Sequence, residues 1–456
     1  MSQRTGSTTP RSDRPGQRPD PEPATHAARR KRVLKAMAKE RRDSVLVLFS
    51  APVQHRNGDV EQEFRQSSDF FWLTGFDEPE SVAVLSAKTG TYTLFVRPRD
   101  PAREIWDGPR AGVPGALKRF GADAAFTIAD LAKQLPGVLA DHARIYHRYG
   151  RDAQGDAAVT RASDRNRARA RDGVAAPTEF VDPTVILHEE RLLKKPEELR
   201  IIRRACAITA EAHVRVMREA TPGLREYELE ASLLDTFRRG GAERAAYGSI
   251  VGSGPNATIL HHRSGARELR ANELLLVDAG CEYGYYASDV TRTFPISGTF
   301  TTEQRALYEA VLAAQLAAIA MVRPGITLEA IHDRTVKVLV QGLLELKLLP
   351  GTEKSILADK TYRRFYMHRT SHWLGMDVHD VGTYFAGKKA RALEPGMVLT
   401  IEPGLYVAEN DKTVPSGYRG QGIRIEDDIL VTRTGHENLT AAIPKTVAEV
   451  EAACRG

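Results

Sequence analysis

The chain has 456 residues, 42% of them hydrophobic and 27% charged, enough apolar material for the cores of two or three domains. Its formal charge of +6 is not a nucleic-acid footprint: residues 1–42 carry twelve Lys or Arg against four acids, an excess larger than the whole chain's, so the remainder is slightly acidic. Three widely spaced cysteines, Cys206, Cys281 and Cys454, form no Cys-x-x-Cys pair, which suits a reducing cytoplasm.

Residues 1–25 are rich in Pro, Arg, Ser and Thr and nearly free of large apolar side chains, so they are expected to form a disordered basic tail. Asp13, Asp20, Glu22 and the prolines argue against a transit peptide, and no apolar segment suits a signal peptide. Strands are predicted over residues 45–50 and, as a hairpin turning at Ala87-Lys-Thr-Gly90, over 82–96, with a helix over Leu131–His142. These elements define an α/β domain over residues 26–172, whose arginine-dense end, Arg161–Asp172, reads as a solvated helix or linker. A second domain is expected over 180–456. Within it, Ala310–Val322 is too short for a membrane span and contains Gln315, so it is expected to be a buried helix and no membrane is expected as a partner.

The second domain carries an internal repeat. An apolar-periodic helix, a Pro-Gly stop and a second helix occur around Pro222-Gly223 and again around Pro324-Gly325. Each helix pair is followed by an apolar strand that ends in an acid, Asp278 in Leu274-Leu-Leu-Val-Asp-Ala-Gly and Glu402 in Leu399-Thr-Ile-Glu-Pro-Gly, and then by a further acid, Asp289 and Glu426. A carboxylate at the end of a buried strand must be paired, hydrogen-bonded or bound to metal. Together with His372, four such acids suggest a metal centre at the interface between the halves, and two divalent ions would balance four negative charges. Oxygen ligands with one imidazole favour manganese, cobalt or zinc in a catalytic role. His368 and His372 have the spacing of a zincin helix, but Arg369 stands where a zincin needs glutamate. Cys281, between the two aspartates, reads as a small strand residue.

The segments Asn256-Ala-Thr-Ile-Leu-His261, His368-Arg-Thr-Ser-His372-Trp-Leu-Gly-Met-Asp-Val-His379 and Leu393-Glu-Pro-Gly-Met-Val-Leu-Thr-Ile-Glu402-Pro-Gly-Leu-Tyr406 resemble, in order, motifs of the M24 metallopeptidases, the pita-bread family that includes methionine aminopeptidase, prolidase and aminopeptidase P. The similarity is greatest to the aminopeptidase P branch and spans nearly the whole chain: Phe64-Arg-Gln-Ser-Ser-Asp69-Phe-Phe-Trp is similar to its creatinase-like N-terminal domain. The resemblance implies an α/β (α+β) protein with a smaller creatinase-like domain before a pita-bread catalytic domain of pseudo-two-fold symmetry.

It also implies chemistry. Asp289 and Glu426 would bridge two divalent ions, manganese being expected; His372 and Glu402 would complete one ion and Asp278 the other. A hydroxide shared by the ions would attack the bond between an N-terminal residue and a following proline, with Glu402 carrying its proton to the leaving nitrogen. His261 and His379 would stabilise the oxyanion, while His368, Tyr406 and Arg424 would wall the proline pocket. Arg424, two residues before Glu426 on a presumed strand, should face the same way as that acid. Trp106 resembles an N-terminal-domain residue that reaches a neighbouring subunit's site in relatives, and a cytoplasmic homodimer or homotetramer is expected. Two rivals remain at this point: a prolidase confined to dipeptides, and a silent peptide-binding module, which the intact ligand set disfavours.

Overall fold

The computed structural model describes residues 23–455; the expected tail lies outside them except for its last three residues, which open the first helix. Two compact units divide the chain, one ending at Glu190 and the other running from Arg191.

The first unit is built on helix α1 (Pro23–Glu40), β1 (Ser44–Phe49), β2 (Val82–Ser86), β3 (Tyr92–Val96), β4 (Ala124–Thr127), α2 (Leu131–Leu139), β5 (Arg144–Tyr146), α3 (Ala153–Ala168) and β6 (Glu179–Val181). The strands form one sheet in the order β4-β3-β2-β1-β5-β6, with the predicted β2–β3 hairpin antiparallel. Helix α2 stops three residues short of the predicted end because Ala140 is extended and Asp141 turns left-handed at φ 60°. The arginine-rich stretch begins within α3, which starts earlier than the sequence suggested and ends at Ala168, and its last residues, Ala170–Asp172, form a 3-10 turn.

The second unit shows the repeat in its backbone. Helices α4 (Pro196–Glu219) and α5 (Glu226–Arg239) precede strands β7 (Ile250–Ser253), β8 (Leu274–Asp278) and β9 (Thr291–Pro295); α6 (Thr302–Ile319) and α7 (Leu328–Glu345) precede β10 (Val398–Ile401), β11 (Gly404–Val407), β12 (Gln421–Arg424) and β13 (Asp427–Val431). In the first half Gly223 N–H donates to Leu269 O and Leu269 N–H to Leu224 O; in the second, Gly325 pairs with Leu393 and Leu393 with Ile326 in the same way. Both glycines need a left-handed backbone, φ 97° and 88°. Helix α6 starts where Thr301 Oγ1 accepts from Gln304 N and Gln304 Oε1 accepts from Thr301 N, a capping box.

Strand β8 lies between β7 and β9, all antiparallel, and its fully buried Leu275 and Val277 pack in one core with Phe237 of α5, Phe294 of β9 and Tyr308 of α6. A satellite core around Trp373, Leu399, Ile401 and Ile429 supports β10 and β13. Past β8 the chain passes so close to the segment before β9 that a Cβ on Gly280 would stand 1.8 Å from Ser288 O. The Asp-Ala-Gly signature therefore reflects backbone contact between the segments that carry Asp278 and Asp289. Among the described residues no helix is long and apolar enough to cross a membrane.

Candidate metal centre

Asp278 closes β8 and Glu402 follows the last residue of β10, as the apolar runs implied. Asp289 lies just before β9, and Glu426 lies in the break between β12 and β13, so it does not share a strand with Arg424 as the sequence reading assumed. Both side chains still line one cavity of about 880 Å³, together with Asp278, Asp289, His372 and Glu402. His368 and His372 sit in irregular chain, not on a helix.

One ligand atom from each of Asp289, His372 and Glu426 lies within 4.8 Å of the others. His372 Nε2 is 3.3 Å from Asp289 Oδ2 and 3.5 Å from Glu402 Oε1. Its other nitrogen, Nδ1, donates to Trp373 O at 3.0 Å, which leaves Nε2 to face the acids. Asp278 is held from two sides, Oδ1 accepting from Tyr247 OH at 2.6 Å and Oδ2 from Arg424 Nη2 at 2.5 Å. Asp289 Oδ1 also lies within hydrogen-bond reach of the Tyr247 hydroxyl, which thus sits between the two aspartates, and Thr291 Oγ1 donates to Glu426 Oε2 at 2.7 Å.

The electrostatics of this cluster ask for cations. Burial, with the neighbouring acids adding to it, drives Glu426 well above the usual carboxylate range, and burial with the charge of Asp278 raises Asp289 against the pull of His372. Burial lifts Glu402 to about 7 although His372 and Arg424 oppose it. Burial disfavours a charged His372, yet its hydrogen bond to Asp289 and the charge of Glu402 raise it to about 9. All four shifts point the same way, to a buried cluster short of positive charge. Hard oxygen donors with one imidazole, crowded and short of positive charge, fit divalent metal.

Around this centre, His261 and His379 line the same cavity, and the His379 ring lies edge-on to His372 with centroids 4.5 Å apart. His368 also lines it. Burial, then the charge of Arg424, lowers His368 to about 4, so it is neutral at physiological pH. Tyr406 does not line the cavity: it is 3% exposed and packs with Ile250, Ala257 and Leu276, its hydroxyl accepting from Arg424 Nη1 at 2.8 Å and lying 3.0 Å from His368 Nε2. The expected pocket wall is therefore a brace behind two wall residues. Trp106, on the short helix Pro101–Asp107, is 84% exposed. Two further cavity residues, Tyr247 and His332, had no signal in the sequence: each is a lone polar residue outside any acid or histidine pattern. His332 Nδ1 is 2.8 Å from Thr370 Oγ1.

A two-halved α/β domain that turns four acids and an imidazole into one cavity is the architecture of a metal-dependent hydrolase. The chain belongs to metallopeptidase family M24, whose model matches residues 200–433, and residues 26–146 match the N-terminal domain of aminopeptidase P. It is 45% identical over 412 residues to a Xaa-Pro aminopeptidase of Escherichia coli K12, covering 90% of this chain and 93% of that protein, and 41% identical over 411 residues to the Haemophilus influenzae Xaa-Pro aminopeptidase, with the same coverage. The structure of Pseudomonas aeruginosa aminopeptidase PepP matches with a TM-score of 0.93 and 47% identity, and zinc-substituted E. coli aminopeptidase P in complex with product with 0.92 and 42%; each match covers 95% of this chain and 98% of the other.

Proposed function

We propose that this M24 metallopeptidase releases the N-terminal residue from peptides that carry proline in the second position. The observation that carries the reading is the convergence of Asp278, Asp289, His372, Glu402 and Glu426 on one cavity in a chain 45% identical to a Xaa-Pro aminopeptidase.

In this reading Asp278, Asp289, His372, Glu402 and Glu426 would together hold two divalent ions. The donor set, rich in oxygen and without thiolate, favours manganese over the alternatives cobalt and zinc. When bound, the metals supply Lewis-acid polarisation of the scissile carbonyl and acidify a water molecule. Glu402 accepts a proton from the attacking water at its carboxylate and returns it to the proline nitrogen as the C–N bond breaks. His261 and His379 donate ring N–H groups to the oxygen that gains charge in the transition state. Neutral His368 and Arg424, both braced by Tyr406, hold the proline ring. That ring matters because its tertiary amide has no N–H for most peptidases to grip.

We assign residues 26–172 and 180–456 to the two modules, the second bearing the chemistry, and place the enzyme in the cytoplasm, where its three free cysteines would stay reduced. A homodimer or homotetramer is the expected assembly. Exposed Ile105 and Trp106, 82% and 84% accessible, support it, because adjacent bare apolar residues mark contact surfaces. The deciding experiment loads the protein with manganese, counts metal per chain, and measures kcat/KM on matched Xaa-Pro dipeptides and Xaa-Pro-Yaa tripeptides. Two ions and tripeptide cleavage at least as good as dipeptide cleavage are expected; cleavage of dipeptides alone would make it a prolidase.

A further inference from the structure

The first residue of α5, Glu226, is a fully buried carboxylate paired with His262, while Arg267 reaches it only through Ser253 Oγ, to which it donates at 2.8 Å. Five donors converge on it. Oε1 accepts from Ser253 N at 2.8 Å, Ser253 Oγ at 2.9 Å and Asn256 Nδ2 at 2.9 Å; Oε2 accepts from His262 Nε2 at 2.8 Å and Gly265 N at 3.1 Å. A carboxylate offers about four lone-pair sites, so this one is saturated.

All five donors belong to one segment, the connection that leaves β7 at Ser253 and returns at Gly265. His261 sits on it, exposed to the cavity, one residue before His262. Ser253 and Asn256 fix the outgoing limb, and His262 and Gly265 fix the returning limb on either side of the turn that carries His261. Burial alone would push the Glu226 carboxyl up, yet the Ser253 N–H and the side chains of Asn256, His262 and Ser253 hold it below its ordinary value, so it stays ionised. Charge-assisted bonds of this kind are roughly twice as strong as neutral ones.

The repeat shows that the fold does not require this acid. At the corresponding point of the second half, after Pro324-Gly325, the first residue of α7 is Leu328. There Thr327 Oγ1 accepts from Ala330 N at 3.2 Å and the helix starts with no carboxylate at the position of Glu226, so the acid at that position serves something the second half does not share.

We infer that Glu226 is a positioning residue for catalysis: through His262, Asn256 and the two backbone donors it clamps the 253–265 segment so that the His261 ring is presented at a fixed place in the cavity. The inference rests on the reading of His261 as an oxyanion donor. Misplacement of a catalytic group by about 1 Å can cost on the order of 10²-fold in rate, so loosening the clamp acts on kcat and not on substrate affinity.

The test uses the full-length, manganese-loaded enzyme with a Xaa-Pro-Yaa tripeptide, comparing E226Q, H262A, H261A and the E226Q/H261A double variant, with hydrogen–deuterium exchange over residues 253–265. E226Q is expected to lose about tenfold in kcat with KM within about twofold and metal content unchanged, and its 253–265 amides to exchange faster while β8 stays protected. H262A removes one of the five bonds at a partly buried position and keeps the other four, and should show the same split in smaller measure. If Glu226 acts through His261, the double variant is no slower than H261A. Losses that multiply in the double variant, or an E226Q enzyme with wild-type kcat despite faster exchange, would overturn the inference. Wild-type kcat in H261A is a different failure, that of the oxyanion reading itself.

Discussion

Arg424 reaches from the second half of the repeat to the first, its Nη2 2.5 Å from Asp278 Oδ2, while its Nε donates to Thr291 Oγ1 at 3.1 Å. Neither residue's environment is intelligible without the other: Arg424 is 4% exposed and Asp278 8%, so each is the other's compensating charge. Breaking a buried pair by removing one partner costs roughly 3–5 kcal/mol, because the survivor stays buried and unpaired. R424A should lower the stability of the metal-free protein by about that much, read from urea midpoints, and raise KM for Xaa-Pro peptides. A variant of unchanged stability and KM would remove Arg424 from both roles.

Asp289 and Glu426 form the centre of the acid cluster. On the proposed metal site, D289A and E426A should each lose metal and activity together, since removing one acid of the cluster takes away a ligand and unbalances the charges of those that remain. Metal analysis beside a tripeptide assay checks this; full activity in either variant would end the assignment.

His261 and His379 stand outside the group of acids, so their loss should leave metal in place. H261A and H379A should each lower kcat by roughly 10² to 10³, the cost of one donor to a developing oxyanion. A collapse in metal content would show instead that they support ligands.

A pH dependence separate from catalysis follows from Asp380, beside His379. Its Oδ1 accepts from Arg191 at 2.7 Å and its Oδ2 from Lys194 at 2.8 Å, all three side chains being buried. Burial pushes the Asp380 carboxyl up, but the charges of Lys194 and Arg191 outweigh it and hold the group below the usual carboxylate range. The unfolded chain therefore takes up this proton first as pH falls. The stability from the pair is complete above the unfolded value of about 3.9 and disappears as pH drops through the lower folded value. D380N should be destabilised by roughly 3–5 kcal/mol at pH 7 and should lose stability less steeply than the wild type below about pH 4. Urea titrations at pH 7, 4 and 3 test it; parallel acid slopes would contradict it.

What the sequence disclosed and what it hid divide along a physical line. Asp278 and Glu402 were legible because a charge at the end of an apolar run contradicts its surroundings, and the repeat because Pro-Gly stops punctuate it twice. Glu226, Tyr247 and Asp380 were not, because each looks ordinary among its sequence neighbours and acquires meaning from partners that folding brings in, 186 residues away for Asp380 and Lys194. Tyr406 was visible but misplaced: a motif position says that a residue belongs to the site, not whether it faces the cavity or stands behind residues that do. Glu426 was assigned to the strand of Arg424 because alternation cannot reveal the break between β12 and β13.

The closeness of Gly280 to Ser288 bears on how this chain tolerates genetic change. With Ser288 O where a Cβ would have to go, position 280 admits no side chain unless the two backbone segments part, and those segments carry Asp278 and Asp289. The distance between two acids is thus set by a residue that touches neither metal nor substrate. In a saturation library scored for peptidase activity, position 280 should be as intolerant as the acids themselves, with even alanine depleted, although an inventory of functional groups would pass over it.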